Sequence, residues 1–165
     1  VNFARASCEI RVGRTFKTIL TSSAGYPLDK TYYQTVKGMV TPLDILEPGG
    51  TLIIASECAE GIGSAEFRES QARLVELGPA AFLETLLSKD LAEIDEWESE
   101  MQLKPMRVGE VQLYCPGMSE EDQKLTGVKI IQDLHQALAE AIEKVGDAEV
   151  AVIPEGPYLV PFAAA

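Results

Sequence analysis

The chain has 165 residues, a length that suits one domain of ordinary size. A hydrophobic fraction of 46% beside a charged fraction of 24% places it among soluble globular proteins, and no apolar run approaches the ~20 residues that a membrane span needs. Its net charge of −12, from 26 acidic and 14 basic residues, describes a solvated acidic surface that repels nucleic acid and anionic membranes, so an anionic ligand must be captured by local cations.

In chain order, residues 1–15 are ambiguous: Ser7-Cys8-Glu9-Ile10-Arg11-Val12 reads either as a strand or as the end of a helix. Thr18–Thr21 is the first clear strand, followed by a tight Gly25-Tyr26-Pro27 turn and a helical pattern from about Tyr32 to Leu46. Thr51–Ala55 is a second strand. Helices are expected from Ser64, a plausible N-cap, to about Glu76, from Pro79 to Ser88, and from Leu91 to Leu103. Val111–Tyr114 is a third strand. A long helix is expected over Thr126–Val145, because Val128, Ile131, Leu134, Leu138, Ala141 and Val145 recur at three- and four-residue steps and Gly146 supplies a stop. Val150–Ile153 is the fourth strand, and Ala163-Ala164-Ala165 reads as a frayed tail. The strands are nearly continuous apolar runs, as in sheets covered on both faces. Their alternation with helices predicts an α/β fold, a Rossmann-like three-layer sandwich with a mostly parallel sheet of about four or five strands.

In such a sheet the loops after the strands gather at one edge, where α/β proteins bind ligands. Gln34 and Lys37, spaced i, i+3 just beyond the first strand, share a helix face; an amide and an ammonium there can hold a small oxyanion. Taken alone, Lys37 reads more readily as a solvated helix lysine; Gln34 on the same face and the Tyr26-Pro27 turn behind it favour the functional reading. The Glu60-Gly61-Ile62-Gly63-Ser64 segment opens a helix, so its backbone either attracts an anion or simply makes a tight turn. Glu57 and Glu60 form a proton-transfer pair, or they cap helices and face water. Trp97, the only tryptophan, either docks its helix on the core or walls a pocket. His135, the only histidine, reads as a helix-flank residue, so a zinc or nickel site built wholly from this chain is not expected. Cys8, Cys58 and Cys115 are odd in number and lack a CxxC spacing, and no secretion signal precedes them, which points to reduced thiols and a cytoplasmic protein.

Gly25-Tyr26-Pro27-Leu28-Asp29 followed by Tyr33-Gln34-x-x-Lys37-Gly38 resembles the C-terminal half of the lactate racemase catalytic subunit family. Pro48-Gly49-Gly50-Thr51-Leu52-Ile53-Ile54, Glu57-Cys58-x-Glu60-Gly61-Ile62-Gly63 and Val152-Ile153-Pro154-Glu155-Gly156-Pro157 continue the likeness in the same order. The resemblance implies nickel-pincer-dependent racemases and epimerases of 2-hydroxy acids, two-domain proteins with the active site in the cleft between domains. There the substrate loses a hydride to the cofactor and regains it on either face. The family's cofactor lysine, metal histidine and acid/base histidines belong to its N-terminal half and have no counterpart here. The resemblance therefore implies that residues 1–165 form a single α/β domain, the C-terminal part of a longer enzyme. That domain would anchor no nickel-pincer nucleotide, hold no catalytic residue or metal, and be inactive alone, with its own N-terminal domain and a hydroxy acid as partners. The chain begins with Val, which is consistent with such a fragment. Carried over residue by residue, Lys37 would pair with the substrate carboxylate, Gln34 would hydrogen-bond to substrate or cofactor, and Trp97 would be the pocket tryptophan, here followed by Glu98 where Gln is usual. Tyr26, Tyr33, Glu57, Glu60, Gly61 and Gly63 are expected to line the cleft. Two other readings compete: a stand-alone module binding a small anion or nucleotide at Gly61 and Gly63, and an interaction domain without a small ligand.

Overall fold

Alternation along the apolar runs divides the molecule into layers. The structure, a computed structural model, describes residues 2–163. The elements run α1 (Asn2–Cys8), β1 (Glu9–Val12), β2 (Phe16–Ser22), α2 (Tyr32–Val40), a 3-10 turn (Thr41–Ile45), β3 (Leu46–Ala55), α3 (Ala65–Leu77), α4 (Pro79–Leu87) and α5 (Glu96–Val108). Then come β4 (Glu110–Tyr114), α6 (Glu120–Gln123), β5 (Lys129–Ile131), α7 (Leu134–Val145), β6 (Val150–Ile153), a second 3-10 turn (Gly156–Tyr158) and β7 (Val160–Ala163). Five strands form an all-parallel sheet in the order β5-β4-β3-β2-β6, and β1 pairs with β7 in a separate parallel ribbon.

On one face of the sheet Ile19, Leu52, Ile54, Leu113 and Ile153 meet Tyr32, Val36 and Met39 of α2 and Phe67 of α3. On the other, Ile53 and Ile131 meet Ala137 and Ala141 of α7. Each large side chain buried this way contributes about 1.5–3 kcal/mol against the exposed chain. The result is the expected three-layer α/β sandwich, with α7 as one outer layer and α2 and α5 as the other.

Several element boundaries differ from expectation. The helix from Tyr32 stops at Val40, because Pro42 carries no N–H and restricts the residue before it; the chain tightens to a 3-10 turn and Leu46 already begins β3. β3 is longer than expected, since Phe16 pairs with Leu46 and Thr18 with Thr51, so the extra residues around Pro48-Gly49-Gly50 bulge out of the ladder. The helix expected from Leu91 starts only at Glu96, after Asp95 takes a left-handed conformation (φ 60°), and it continues to Val108. The helix expected over Thr126–Val145 is two elements. Gly127 (φ 67°) turns the chain, Lys129–Ile131 pairs with β4, and a new helix starts when the Asp133 carboxylate accepts from His135 N at 2.8 Å and Gln136 N at 3.0 Å. Val128 and Ile131 thus matched a helical spacing while belonging to a strand and its approach. Both readings of the first residues hold in part: a helix to Cys8, then a strand. Ala163 pairs with Val12, while Ala164 and Ala165 of the expected tail lie outside the described residues.

Strand order reverses at β2, which has β3 on one side and β6 on the other. A doubly wound sheet opens its ligand crevice there. In this protein the Gly156–Tyr158 turn fills it. Ser22 Oγ donates to the Pro154 carbonyl, and a Cβ on Gly156 would lie 2.6 Å from both the Ser22 carbonyl oxygen and Thr21 Oγ1. The open space lies beside the crevice, along α2.

Candidate functional site

Helix α2 presents the polar pair. Thr31 caps it, its hydroxyl accepting from Gln34 N at 3.4 Å, and this places Gln34 in the first turn and Lys37 one turn further on. The Lys37 ammonium donates to Gln34 Oε1 at 2.9 Å and stands 4.8 Å from the centre of the Tyr33 ring. Tyr33 in turn meets Trp97 edge-on, with ring centres 6.1 Å apart, and Phe67 at 5.1 Å. Gln34, Lys37, Tyr33 and Trp97, all singled out from the sequence, therefore form one constellation, although α2 and α5 are separated by more than fifty residues.

Beside it lies a pocket of about 380 Å³, walled by Lys37 and Val40 from α2, Leu43 and Asp44 from the first 3-10 turn, Trp97, Glu98 and Met101 from α5, and Leu159 and Val160 from the approach to β7. Trp97 is half exposed, so it borders this pocket and does not serve only as a core anchor. Glu98 has 0% exposure, and neither of its carboxylate oxygens has a hydrogen-bond partner among the described residues. Burial pushes its carboxyl up to about 7; Lys37 opposes the shift and Asp95 adds to it. The Tyr33 phenol is also raised, by burial first and then by Asp95 and Glu98. Sequence reasoning noted Glu98 only as a neighbour of Trp97. No pattern reveals that a carboxyl in an acidic stretch will be the one that α2 covers.

The remaining candidates lie elsewhere. Tyr26 is 83% exposed at the strand-end turn, with Lys30 over its ring at 5.9 Å. Glu60 is ion-paired to Lys30, and Glu57 is exposed, so each carboxylate faces water or a lysine. Gly61 N donates to the Cys58 carbonyl at 3.0 Å, and the Gly61 carbonyl accepts from Tyr32 N at 2.9 Å, so this part of the loop is occupied in joining α2 to α3. Ser64 caps α3, its hydroxyl accepting from Phe67 N at 3.0 Å and donating to Asp95 Oδ2 at 2.6 Å. The hollow bounded by Gly63, Ser64, Tyr33, Glu60 and Asp95 thus carries two carboxylates at the helix start, which disfavours an anion there. Gly63 (φ 127°) lets the loop press on Tyr33, since a Cβ would come within 3.0 Å of Tyr33 Cβ. Cys58 and Cys115 are buried; burial pushes the Cys58 thiol up and that of Cys115 up to about 12, conditions for inert thiols.

Among the described residues no three His, Cys, Asp or Glu side chains converge to hold a metal. His135 is exposed on α7, across the sheet from α2.

The family model for the lactate racemase C-terminal domain matches residues 14–160. The chain belongs to the lactate racemase C-terminal domain family. It is 33% identical over 146 residues to a lactate racemase of Thermoanaerobacterium thermosaccharolyticum, covering 84% of this chain and 33% of the relative. It is 26% identical over 142 residues to the lactate racemase of Lactiplantibacillus plantarum, covering 83% and 32%. The solved structure of the lactate racemase apoprotein from T. thermosaccharolyticum superposes with a TM-score of 0.83 at 26% identity, covering 97% of this chain and 38% of that one. The chain thus spans about a third of the length of the curated relatives it matches. The family match runs from the loop before β2 to the start of β7, and so takes in α2, α5 and the pocket between them.

Proposed function

We propose that this domain is the substrate side of a racemase or epimerase acting on a 2-hydroxy acid such as lactate, with Lys37 and Gln34 receiving the substrate carboxylate and Trp97 walling the pocket. The observation that carries this reading is the pairing of Lys37 with Gln34 at 2.9 Å, on the helix face that borders a pocket shared with Trp97. An ammonium supplies charge and an amide supplies direction, a combination suited to a small carboxylate. The family membership and the length of the relatives support a longer two-domain protein, in which this domain is C-terminal and inactive alone. Its chemistry would be hydride transfer to and from a nickel-pincer nucleotide held by the N-terminal domain. No step of that chemistry is assigned to residues of this chain, whose part is to bind and orient the acid. Among the described residues no helix is long and apolar enough to cross a membrane, and a cytoplasmic location accords with three free cysteines.

The test is Lys37→Ala in the full-length protein. Removing the charged partner of a carboxylate costs about 2–5 kcal/mol, so kcat/KM should fall by at least about thirty-fold. Lys37 is exposed, so circular dichroism and thermal melting should stay near wild type. Unchanged turnover on every substrate that the wild type accepts would overturn the anchoring role.

A further inference from the structure

Among the described residues Lys37 is the only cation on a pocket wall that also carries Glu98 and Asp44, with Asp95 at the N-cap of the same helix. An incoming carboxylate therefore meets one positive charge set among three acidic groups. The nearby cations Arg73 and Lys89 do not change this balance, because both are paired to Glu96, at 2.6 Å each. Toward Glu98, α2 brings Lys37 and the Tyr33 phenol, and the first 3-10 turn carries Asp44 on the same pocket wall. The approach to β7 brings only Leu159 and Val160 to the pocket. The buried residues of α3, among them Ser70, Gln71 and Leu74, are uncharged. Glu98 is thus a fully buried carboxyl, without a hydrogen-bond partner among the described residues, in the wall of a pocket that also carries the Lys37 ammonium.

We propose that Glu98 takes up a proton when a carboxylate binds at Lys37, so that the pocket captures the hydroxy acid as an anion together with a proton. This rests on the reading of Lys37 as the carboxylate anchor. The reasoning is electrostatic. Bound at Lys37, the anion draws on the one charge that favours ionised Glu98 and adds a negative charge nearby. Both effects favour the neutral carboxyl. Once protonated, Glu98 no longer repels the ligand, and its O–H becomes a donor where the carboxylate offered only acceptors. The proton comes from solvent, and no covalent bond of the ligand is made or broken.

The position of Glu98 at the midpoint of its titration makes this uptake measurable. Burial holds the free carboxyl at about 7. If binding lifts it by two units or more, affinity for a monoanion should weaken about ten-fold between pH 6 and pH 8, and about half a proton should be taken up per anion at pH 7. The probe is 2-hydroxyisobutyrate, which has the carboxylate and the hydroxyl of a 2-hydroxy acid but no hydrogen on C2, so it cannot be racemised. Calorimetric titration of the cofactor-free full-length protein, in phosphate and in Tris, separates proton uptake from binding heat through the different ionisation heats of the buffers. Glu98→Gln should lose the uptake and bind at pH 8 about as tightly as wild type does at pH 6. Binding by wild type without proton exchange would overturn the role of Glu98 and leave the Lys37 anchor standing, and so would uptake that persists in Glu98→Gln. Absence of binding by wild type at millimolar probe would overturn both.

Discussion

Glu98→Gln should also change the stability of the unliganded protein, in a direction opposite to most substitutions at buried polar positions. The folded carboxyl is held at about 7 by burial, against 4.5 for the ordinary group. Below about pH 4.5 the group is protonated in both states and imposes no penalty. Between 4.5 and 7 the unfolded chain releases its proton while the folded chain retains it, so stability falls as pH rises. Above 7 the loss levels off at roughly 3 kcal/mol, from about 1.4 kcal/mol per pH unit of difference. Gln has the shape of Glu and does not titrate. The variant should therefore match wild type near pH 4 and exceed it by roughly 3 kcal/mol at pH 8. Groups held low by their partners, among them Glu96, Glu110 and Asp133, lose stability in acid in both proteins and cancel in the difference. Urea denaturation at half-unit steps from pH 4 to pH 8 gives the difference curve, with the slope m held equal as the check on comparable unfolding. A flat difference across this range, or a variant less stable at pH 8, would refute the account of Glu98 as a buried carboxyl without a partner.

Tyr32→Phe removes the hydroxyl that donates to the Thr126 carbonyl at 3.0 Å in the core. Since Gln102 still donates to that carbonyl, at 2.6 Å, the loss should be only about 1 kcal/mol by chemical denaturation. Gly63→Ala forces a Cβ toward Tyr33 at a φ of 127°, so a loss of about 1–3 kcal/mol is expected, with altered Trp97 fluorescence as Tyr33 shifts. Gly109→Ala drives a Cβ into the Gly50 backbone where β4 starts beside β3, and a melt should show a loss of about 2 kcal/mol or more although its backbone is extended.

The parts of the fold that were legible in the sequence are those decided by local chemistry. Ser64 and Gly146 act as helix boundaries, and the runs at Thr18, Thr51, Val111 and Val150 are strands, because caps and buried strands write their signatures within a few residues. β1 and β7 were not legible as a pair, since Glu9 finds Val160 only through the rest of the fold. Val128 and Ile131 misled because a three-residue step is shared by helices and by chance, and only Gly127 in a left-handed conformation with Asp133 as a new cap separates strand from helix. In the site, Gln34 and Lys37 share a face by helical geometry alone, so that pair could be seen early. Glu98 could not, because its burial is a property of how α5 docks on α2.

The position of the pocket follows from the same docking. In a doubly wound sheet the crevice between β2 and β6 is the default ligand site, and its occupant is commonly a phosphate held at a glycine-rich helix start. Here the Gly156 turn occupies that crevice and seals it against Ser22 and Thr21, an approach that only a residue without a Cβ permits. The glycine-rich segment that does precede a helix, at Gly61 and Gly63, is faced by Glu60 and Asp95. Both features disfavour a nucleotide in the usual place, whereas the flank of α2, with one ammonium and one buried carboxyl, is a polar surface suited to the small acid proposed above. A pocket of about 380 Å³ walled by Val40, Leu43, Met101 and Leu159 has room for a short apolar tail beyond a carboxylate bound at Lys37 as proposed. If the domain binds a 2-hydroxy acid at Lys37 as proposed, enlarging the pocket with Met101→Ala should shift preference toward longer acids while leaving the proposed anchor in place. A preference unchanged across a series of chain lengths would place the substrate tail outside this pocket.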